Sequence, residues 1–279
     1  MVGWPVTLWR SARLAVQLAI AVLVCLYVAA AEHFARRPAW VPDVVRWWYA
    51  RTCRVLDLRL EVSGRPHPSA LLVVNHISWL DILVIGAQGR IGFLAKDEIR
   101  HWPLIGWLAA TVGTHFIRRG AARMDELREA LAERIRAGQA IAVFPEGTTS
   151  DGAGVMRFHP RLFAVGQQPG VLVQPVALRY GNGCEPDPVA PFVGTDTFAA
   201  HLGRVLRHPG LSAQVHFLAT LDPDLPSRRD LADAARLAIT RGLGSEAKTD
   251  PVSPPHASLR QAGPDGSRIV STQTRSATQ

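Results

Sequence analysis

Residues 70–74 and 140–144 are short, wholly apolar runs, and each stops at a polar cluster. Asn75-His76-Ile77-Ser78-Trp79-Leu80-Asp81 follows the first, and Pro145-Glu146-Gly147-Thr148-Thr149-Ser150 follows the second. A bounded apolar run of this length reads as a buried strand. Reactive groups of α/β proteins gather where the carboxyl ends of such strands open into loops. The repeated pattern therefore predicts an α/β domain and marks two places in it to look for chemistry.

The remaining segments fit that class. Further strands are expected at 59–63, 91–95, 115–117, 171–177 and 213–219, and helices at 82–87, 102–110, 161–165 and 230–240. The clearest amphipathic helix covers 124–137, where Leu127, Leu131 and Ile135 recur every four residues and Gly138 can end it. From residue 245 the chain turns to Ser, Thr, Pro, Gly and Gln, too poor in large apolar side chains to offset the entropy of ordering. The expected organisation is an N-terminal membrane-anchoring region of helices (1–60), an α/β domain (61–244) and a disordered tail (245–279).

Residues 14–31 form an uncharged run whose one strongly polar member is Gln17. As a helix it is about 27 Å long at ~1.5 Å per residue, close to the ~30 Å hydrocarbon core of a bilayer. It can span, or enter one leaflet at a tilt. Arginines stand on both sides, so they set no orientation. Residues 1–60 hold eight arginines against Glu32, Asp43 and Asp57, a large share of the chain's net charge of +8. Such charge beside an apolar segment favours anionic lipid at about 1 kcal/mol per residue near the surface. Trp4, Trp9, Trp40, Trp47 and Trp48 resemble interfacial anchors. Zinc-finger spacing and aromatic RNA-binding motifs are absent from the sequence, so membrane is the expected partner and nucleic acid is not. A cleavable signal peptide ending at Ala29-Ala30-Ala31 is the rival reading. Residues 42–58 suit a second amphipathic helix, on the membrane or packed on the domain. Removal of residues 1–40 is expected to weaken membrane attachment more than folding. Cys25, Cys53 and Cys184 are few, odd in number and far apart, which implies neither a disulfide framework nor a metal site and suits a reducing compartment.

A neutral imidazole can take the proton of a hydroxyl as that oxygen attacks, and a carboxylate on the far ring nitrogen fixes the tautomer. His76 and Asp81 can fill these roles under one condition. On a continuous helix, five residues separate two side chains by about 140° around the axis. His76 must therefore lie in a strand-to-helix loop, with the helix starting near Ser78 and Asp81 in its first turn. The plain structural reading is that Ser78-x-x-Asp81 is a capping box. The second cluster offers a carboxylate, hydroxyls and a glycine that can hold a phosphate or polyol, or it is an ordinary polar turn.

Taken together, Asn75-His76-x-x-x-x-Asp81, Gly113-x-x-Phe116-Ile117-x-Arg119, Phe144-Pro145-Glu146-Gly147-Thr148 and Val173-Gln174-Pro175-Val176 resemble the membrane-associated glycerophospholipid acyltransferase family, the 1-acylglycerol-3-phosphate acyltransferases in particular. The resemblance runs from about Leu71 to Leu178 and includes the stretch from Phe93 through Pro103-x-x-Gly106. It implies a mixed central sheet flanked by helices, and direct acyl transfer from a thioester to the free hydroxyl of 1-acyl-sn-glycerol-3-phosphate, giving phosphatidic acid. His76 would be the general base and Asp81 its orienting partner. Arg119, Glu146, Gly147, Thr148 and Lys96 would bind the acceptor. The donor would be acyl-CoA or acyl carrier protein, with no further cofactor, and the site of action the cytoplasmic face of the inner membrane. Arg118 departs from the residue common in the family and leaves the headgroup open. Acceptor alternatives include lyso-ornithine lipid; a catalytically inactive lipid- or partner-binding protein is the alternative of another class. His115, Arg157, His159 and Arg161 are weaker site candidates, and His101 weaker still.

Overall fold

The computed structural model describes residues 2–34, 37–117, 121–182 and 186–244, the side chains of 121–125 excepted. Arg118, Arg119, Cys184 and the tail at 245–279 lie outside the described residues.

One sheet organises the domain. Strands β1 (Leu58–Ser63), β2 (Ala70–Val74), β3 (Ile91–Lys96), β4 (His115–Ile117), β5 (Ala140–Val143), β6 (Leu172–Tyr180) and β7 (Leu211–Phe217) lie in the order β1-β7-β6-β2-β5-β3-β4. From β6 to β4 every neighbouring pair is parallel, whereas β7 pairs antiparallel with β6 and parallel with β1, so the sheet is mixed. The apolar runs at β2 and β5 have no alternation because both faces of the sheet are covered. Leu72 and Val74 pack into a core with Leu80, Leu83 and Val205, while Leu71 and Val73 pack into a second with Leu131, Ile135 and Leu231. Strand β7 is different, since only its Leu211, Ala213, Val215 and Phe217 face is buried, and there the alternation returns.

The helices are α1 (Trp4–His33), α2 (Val41–Val55), α3 (Leu80–Gly86), α4 (Asp97–Arg100), α5 (Ile105–Thr111), α6 (Ala121–Arg136), α7 (Phe198–Arg207) and α8 (Arg228–Gly244), with a 3-10 turn at Pro160–Ala164. Two of them, α4 and α7, are not expected from the sequence. Of the stretch read as one helix at 102–110, residues 105–110 are in α5, and 102–104 form an elbow between α4 and α5. There Leu104 takes φ +64° and ψ −58° in a γ-turn closed by the Ile105 N–H on the Pro103 carbonyl, 2.7 Å. A Cβ at Gly106 would stand 2.2 Å from the Arg100 carbonyl, so this glycine is what lets α5 close against α4.

Helix α1 corrects the expectation for the amino end. It starts ten residues before the apolar run, and Arg10 is a buried docking point rather than a flanking lipid contact. Its guanidinium pairs with Asp57 at 2.7 Å and donates to the His208 carbonyl at 2.6 Å. Trp48 is likewise turned inward, its indole donating to the Gln17 carbonyl at 2.8 Å. The buried side chains Arg10, Gln17, Cys25 and Val28 fall on one narrow stripe of α1 at 100° per residue. The rest of its surface, with Val6, Trp9, Val16, Leu23, Leu26 and Tyr27, is exposed and apolar. Removing residues 1–40 would therefore also strip Asp57 of its partner, and cannot separate attachment from folding.

Candidate active site

Strands β2 and β5 are parallel neighbours with Val73 paired to Val143, so the two polar clusters emerge side by side at one edge of the sheet. Asn75 begins the first. Its side chain donates to the Leu178 carbonyl at 2.9 Å and accepts from the Leu178 amide at 2.8 Å, continuing by side chain the ladder that β2 shared with β6. The backbone is thereby free to turn at His76.

The condition set by the five-residue spacing is met. Helix α3 begins at Leu80, so Asp81 stands in its first turn and reaches back to His76, with Oδ2 2.7 Å from Nδ1. The same oxygen accepts the amides of Ile77 at 2.7 Å and Ser78 at 3.0 Å, and Oδ1 accepts the Tyr180 hydroxyl at 2.9 Å. Asp81 is fully buried, and four donors on one carboxylate hold it in place. The capping box is half present: Asp81 serves the Ser78 amide, but the buried Ser78 hydroxyl has no partner among the described residues. One carboxylate thus holds the loop ahead of the helix and orients the ring. With Nδ1–H given to Asp81, Nε2 is the nitrogen left to accept a proton. The imidazole stacks on Phe144 at 4.1 Å and 20°, and the His76 side chain keeps 19% of its surface exposed.

The second cluster closes on the first through backbone. The amide and hydroxyl of Ser150 both donate to the His76 carbonyl, at 2.8 and 3.1 Å. Glu146 is 3% exposed; Oε1 accepts a long 3.4 Å bond from the His76 amide, and Oε2 is buried and unpartnered among the described residues. Burial pushes this carboxyl up to about 7, with the nearby Asp81 charge adding to the effect and the His76 amide opposing it. Gly147 takes φ +72°, where an added Cβ would press on the His159 ring at 3.1 Å, so a tight turn here requires glycine. Thr148 is exposed at the tip. A cavity of ≈ 440 Å³ opens beside this loop, lined by Thr149, Ser150, Asp151, Val155, Met156 and Val193.

Not every expected residue comes to this place. Lys96 ends β3 and is exposed, two strands from β2. His115 sits on β4, three strands away, and burial followed by the Arg134 charge lowers its imidazole to about 4, leaving it neutral. Arg157, Arg161 and His101 are exposed, whereas His159 does reach the second cluster, packing on Gly147. Arg119 lies outside the described residues.

Tyr180 belongs to the site and was not foreseen. Burial and then the Asp81 charge push its phenol well above the ordinary value, so it stays a donor. The sequence signal available was only a tyrosine near the end of a buried strand, beyond the last motif. Tyr180→Phe is expected to cost about 1–3 kcal/mol of stability in a denaturant titration, because one buried acceptor loses its donor. It should also lower kcat more than it alters KM, since the hydroxyl acts on Asp81.

The raised Glu146 carboxyl has a sign that can be tested. Folded protein holds the proton up to about pH 7, whereas an unfolded chain releases it near the ordinary value of 4.5. Unfolding therefore releases a proton between these values, and stability falls as pH rises through that window. Glu146→Gln is expected to gain on wild type in thermal melts from pH 4.5 to 7, with the gap constant above. An unchanging gap would contradict the burial argument.

Comparison with known proteins adds the following. A family model described as Acyltransferase matches residues 59–179. A lyso-ornithine lipid O-acyltransferase of Pseudomonas aeruginosa is 40% identical over 87% of this chain and 95% of its own length. Another, of Rhodobacter capsulatus, is 39% identical over 77% and 81%. A 1-acyl-sn-glycerol-3-phosphate acyltransferase of Neisseria gonorrhoeae is 36% identical over 60% and 67%. The crystal structure of the 1-acyl-sn-glycerophosphate acyltransferase of Thermotoga maritima matches the fold with a TM-score of 0.66, covering 88% of this chain and 96% of that one at 22% identity.

Proposed function

Because this chain belongs to the glycerolipid acyltransferase family, we propose that it transfers an acyl group from a thioester directly to the hydroxyl of a lysolipid, with His76 as the base. The observation that carries the reading is the 2.7 Å contact between His76 and a buried Asp81 at the carboxyl end of β2. Nε2 removes the acceptor's hydroxyl proton as the oxygen attacks the thioester carbonyl. The tetrahedral adduct then expels the thiolate, which recovers the proton from the imidazolium, while Asp81 stabilises the charged ring throughout. Glu146 accepts the His76 amide through Oε1, and its Oε2, without a partner among the described residues, can receive a polar group of the acceptor.

The acceptor we favour is a lyso-ornithine lipid. What supports it is that the similarity extends over most of the length of two enzymes named for that substrate. Acylation of 1-acyl-glycerol-3-phosphate is the second reading, favoured by the Neisseria relative and by the motif order. Purified protein offered both lysolipids with a labelled acyl thioester tests the choice. Label in the amino-acid lipid alone is expected, and label in phosphatidic acid alone would overturn it.

The exposed face of α1 supports attachment to a membrane by burying Leu23, Leu26, Trp9 and Tyr27 among lipid. Leu23→Glu combined with Leu26→Glu leaves the Arg10 and Gln17 contacts in place. This variant is expected to lose most vesicle binding in a sedimentation assay while melting as wild type does. Full retention of binding would exclude this face.

A further inference from the structure

The turn that carries His76 is also held from α7, by a chain of hydrogen bonds that starts and ends within residues 77–81. The Trp79 indole donates to Nδ1 of His201 at 3.0 Å, and Nε2 of His201 donates to the Pro191 carbonyl at 3.0 Å. The same peptide unit presents the Phe192 amide, which donates to the Ile77 carbonyl at 3.0 Å. The far side of that second peptide is the Ser78 amide, which donates to Asp81 Oδ2 at 3.0 Å. This is the oxygen that faces Nδ1 of His76.

These four bonds run in one direction, donor to acceptor, and finish on the carboxylate. Bonds joined head to tail polarise and strengthen one another. The partners also fix the state of the histidine. An indole can only donate and a carbonyl can only accept, so His201 is neutral with its proton on Nε2. Burial, and then the Arg204 charge, lowers its imidazole from the ordinary value, in keeping with that assignment.

The links differ in what holds them. His201 is 0% exposed and stands on α7, whose first turn is capped by the Thr197 hydroxyl accepting the Ala200 amide at 3.3 Å. The rings of Trp79 and Phe192 pack edge-on against it at 6.0 and 5.3 Å. Residues 186–197, by contrast, include neither helix nor strand, so no ladder orients the peptide between Pro191 and Phe192. His201 holds its carbonyl, and the Thr149 hydroxyl donates to the next one, that of Phe192. Irregular backbone packed against a site needs such partners for its polar groups.

We propose that His201 is a positioning residue for the His76–Asp81 pair, acting through the Pro191–Phe192 and Ile77–Ser78 peptides to aim the Ser78 amide at Asp81. The inference rests on His76 as the base and deepens that reading. If the peptide at 191–192 turns, the Ile77 carbonyl loses its partner and the 77–78 peptide is free to rotate. Asp81 then loses a donor on the very oxygen that orients the imidazole.

The test uses two variants of the full-length protein, each keeping one of the two His201 bonds. His201→Gln puts an amide donor about where Nε2 stands and keeps the Pro191 carbonyl. His201→Asn reaches only as far as Nδ1, keeps the Trp79 indole and releases Pro191. A residue that merely fills the core predicts equal effects from the two. The relay predicts unequal ones: kcat near wild type for His201→Gln, and a loss of about 10–10²-fold for His201→Asn, as a displaced catalytic group gives. KM for the lysolipid should not change. Rates are taken well below each melting transition, so that folded protein is compared. Hydrogen exchange at the Phe192 and Ser78 amides should quicken in His201→Asn alone. Equal losses of kcat, or unchanged exchange in His201→Asn, overturn the inference. Faster exchange with unchanged kcat overturns the positioning role, whereas wild-type turnover in His76→Ala sinks the underlying reading by itself. Should His201→Asn fail to fold, Trp79→Phe removes only the first donor and keeps a ring on Phe198. Lower kcat with faster Ser78 exchange then supports the relay, and wild-type values of both overturn it.

Discussion

His76→Ala is expected to lower kcat by about 10²–10⁴-fold, the range a positioned general base supplies, while the protein still folds. The structure gives a reason for the second half of that statement. Asp81 would lose one donor of four, and the Ile77 and Ser78 amides and the Tyr180 hydroxyl would continue to satisfy it. What packing is lost is one stacked face on Phe144, worth about 0.5–1.5 kcal/mol. Initial rates of thiol release in the presence of acceptor, set beside thermal melts, separate the two effects. Wild-type rates from the alanine variant would contradict a histidine base.

Asp81→Asn is expected to reduce kcat by about 10³–10⁴-fold, as loss of an orienting carboxylate does in related base–acid pairs. The amide can keep its oxygen toward His76, Ile77 and Ser78 and turn its nitrogen to Tyr180, whose hydroxyl can rotate to accept. The hydrogen-bond count survives, and the cost in stability is only that of exchanging charged for neutral bonds, about 1–3 kcal/mol. The negative charge that stabilises the imidazolium is what disappears. This result discriminates between two roles for one residue. An asparagine oxygen can accept the same Ile77 and Ser78 amides, so a carboxylate that served only to hold the loop would be replaced with little loss of rate.

Where the sequence was legible, burial was the reason. Strand Ala70–Val74 lies where its apolar run puts it, and α6 spans Leu127, Leu131 and Ile135, which recur every four positions. The His76–Asp81 contact was also readable, because the five-residue spacing permits it in only one backbone arrangement. Helix α7 was not readable. Its apolar residues Phe198, Leu202, Val205 and Leu206 do recur at helical spacing, but the helix is only ten residues long, and its core face includes a histidine, His201, which accepts the Trp79 indole at 3.0 Å and donates to the Pro191 carbonyl at 3.0 Å. Helix α4, four residues long, is too short to show any period.

Two side chains of the amino end, Arg10 and Trp48, were misread for a related reason. Arg10 looks like a charge at a membrane boundary until Asp57, forty-seven residues on, is seen to neutralise it. Trp48 looks like an interfacial anchor until its indole is seen to donate to the Gln17 carbonyl. Long-range partners decide both, and no local pattern announces them. Tyr180 was missed in the same way, since it reaches Asp81 across 99 residues of sequence. The motifs marked His76 and Asp81; the fold added Tyr180, which holds Asp81.

The account depends on His76 moving a proton and never carrying the acyl chain. A rapid-quench single turnover with labelled acyl thioester, enzyme in excess and lysolipid present, measures this directly. The predicted course is label passing from thioester to lipid with none in the acid-precipitated protein at any time. Label that appears on the protein and then drains into lipid would contradict it.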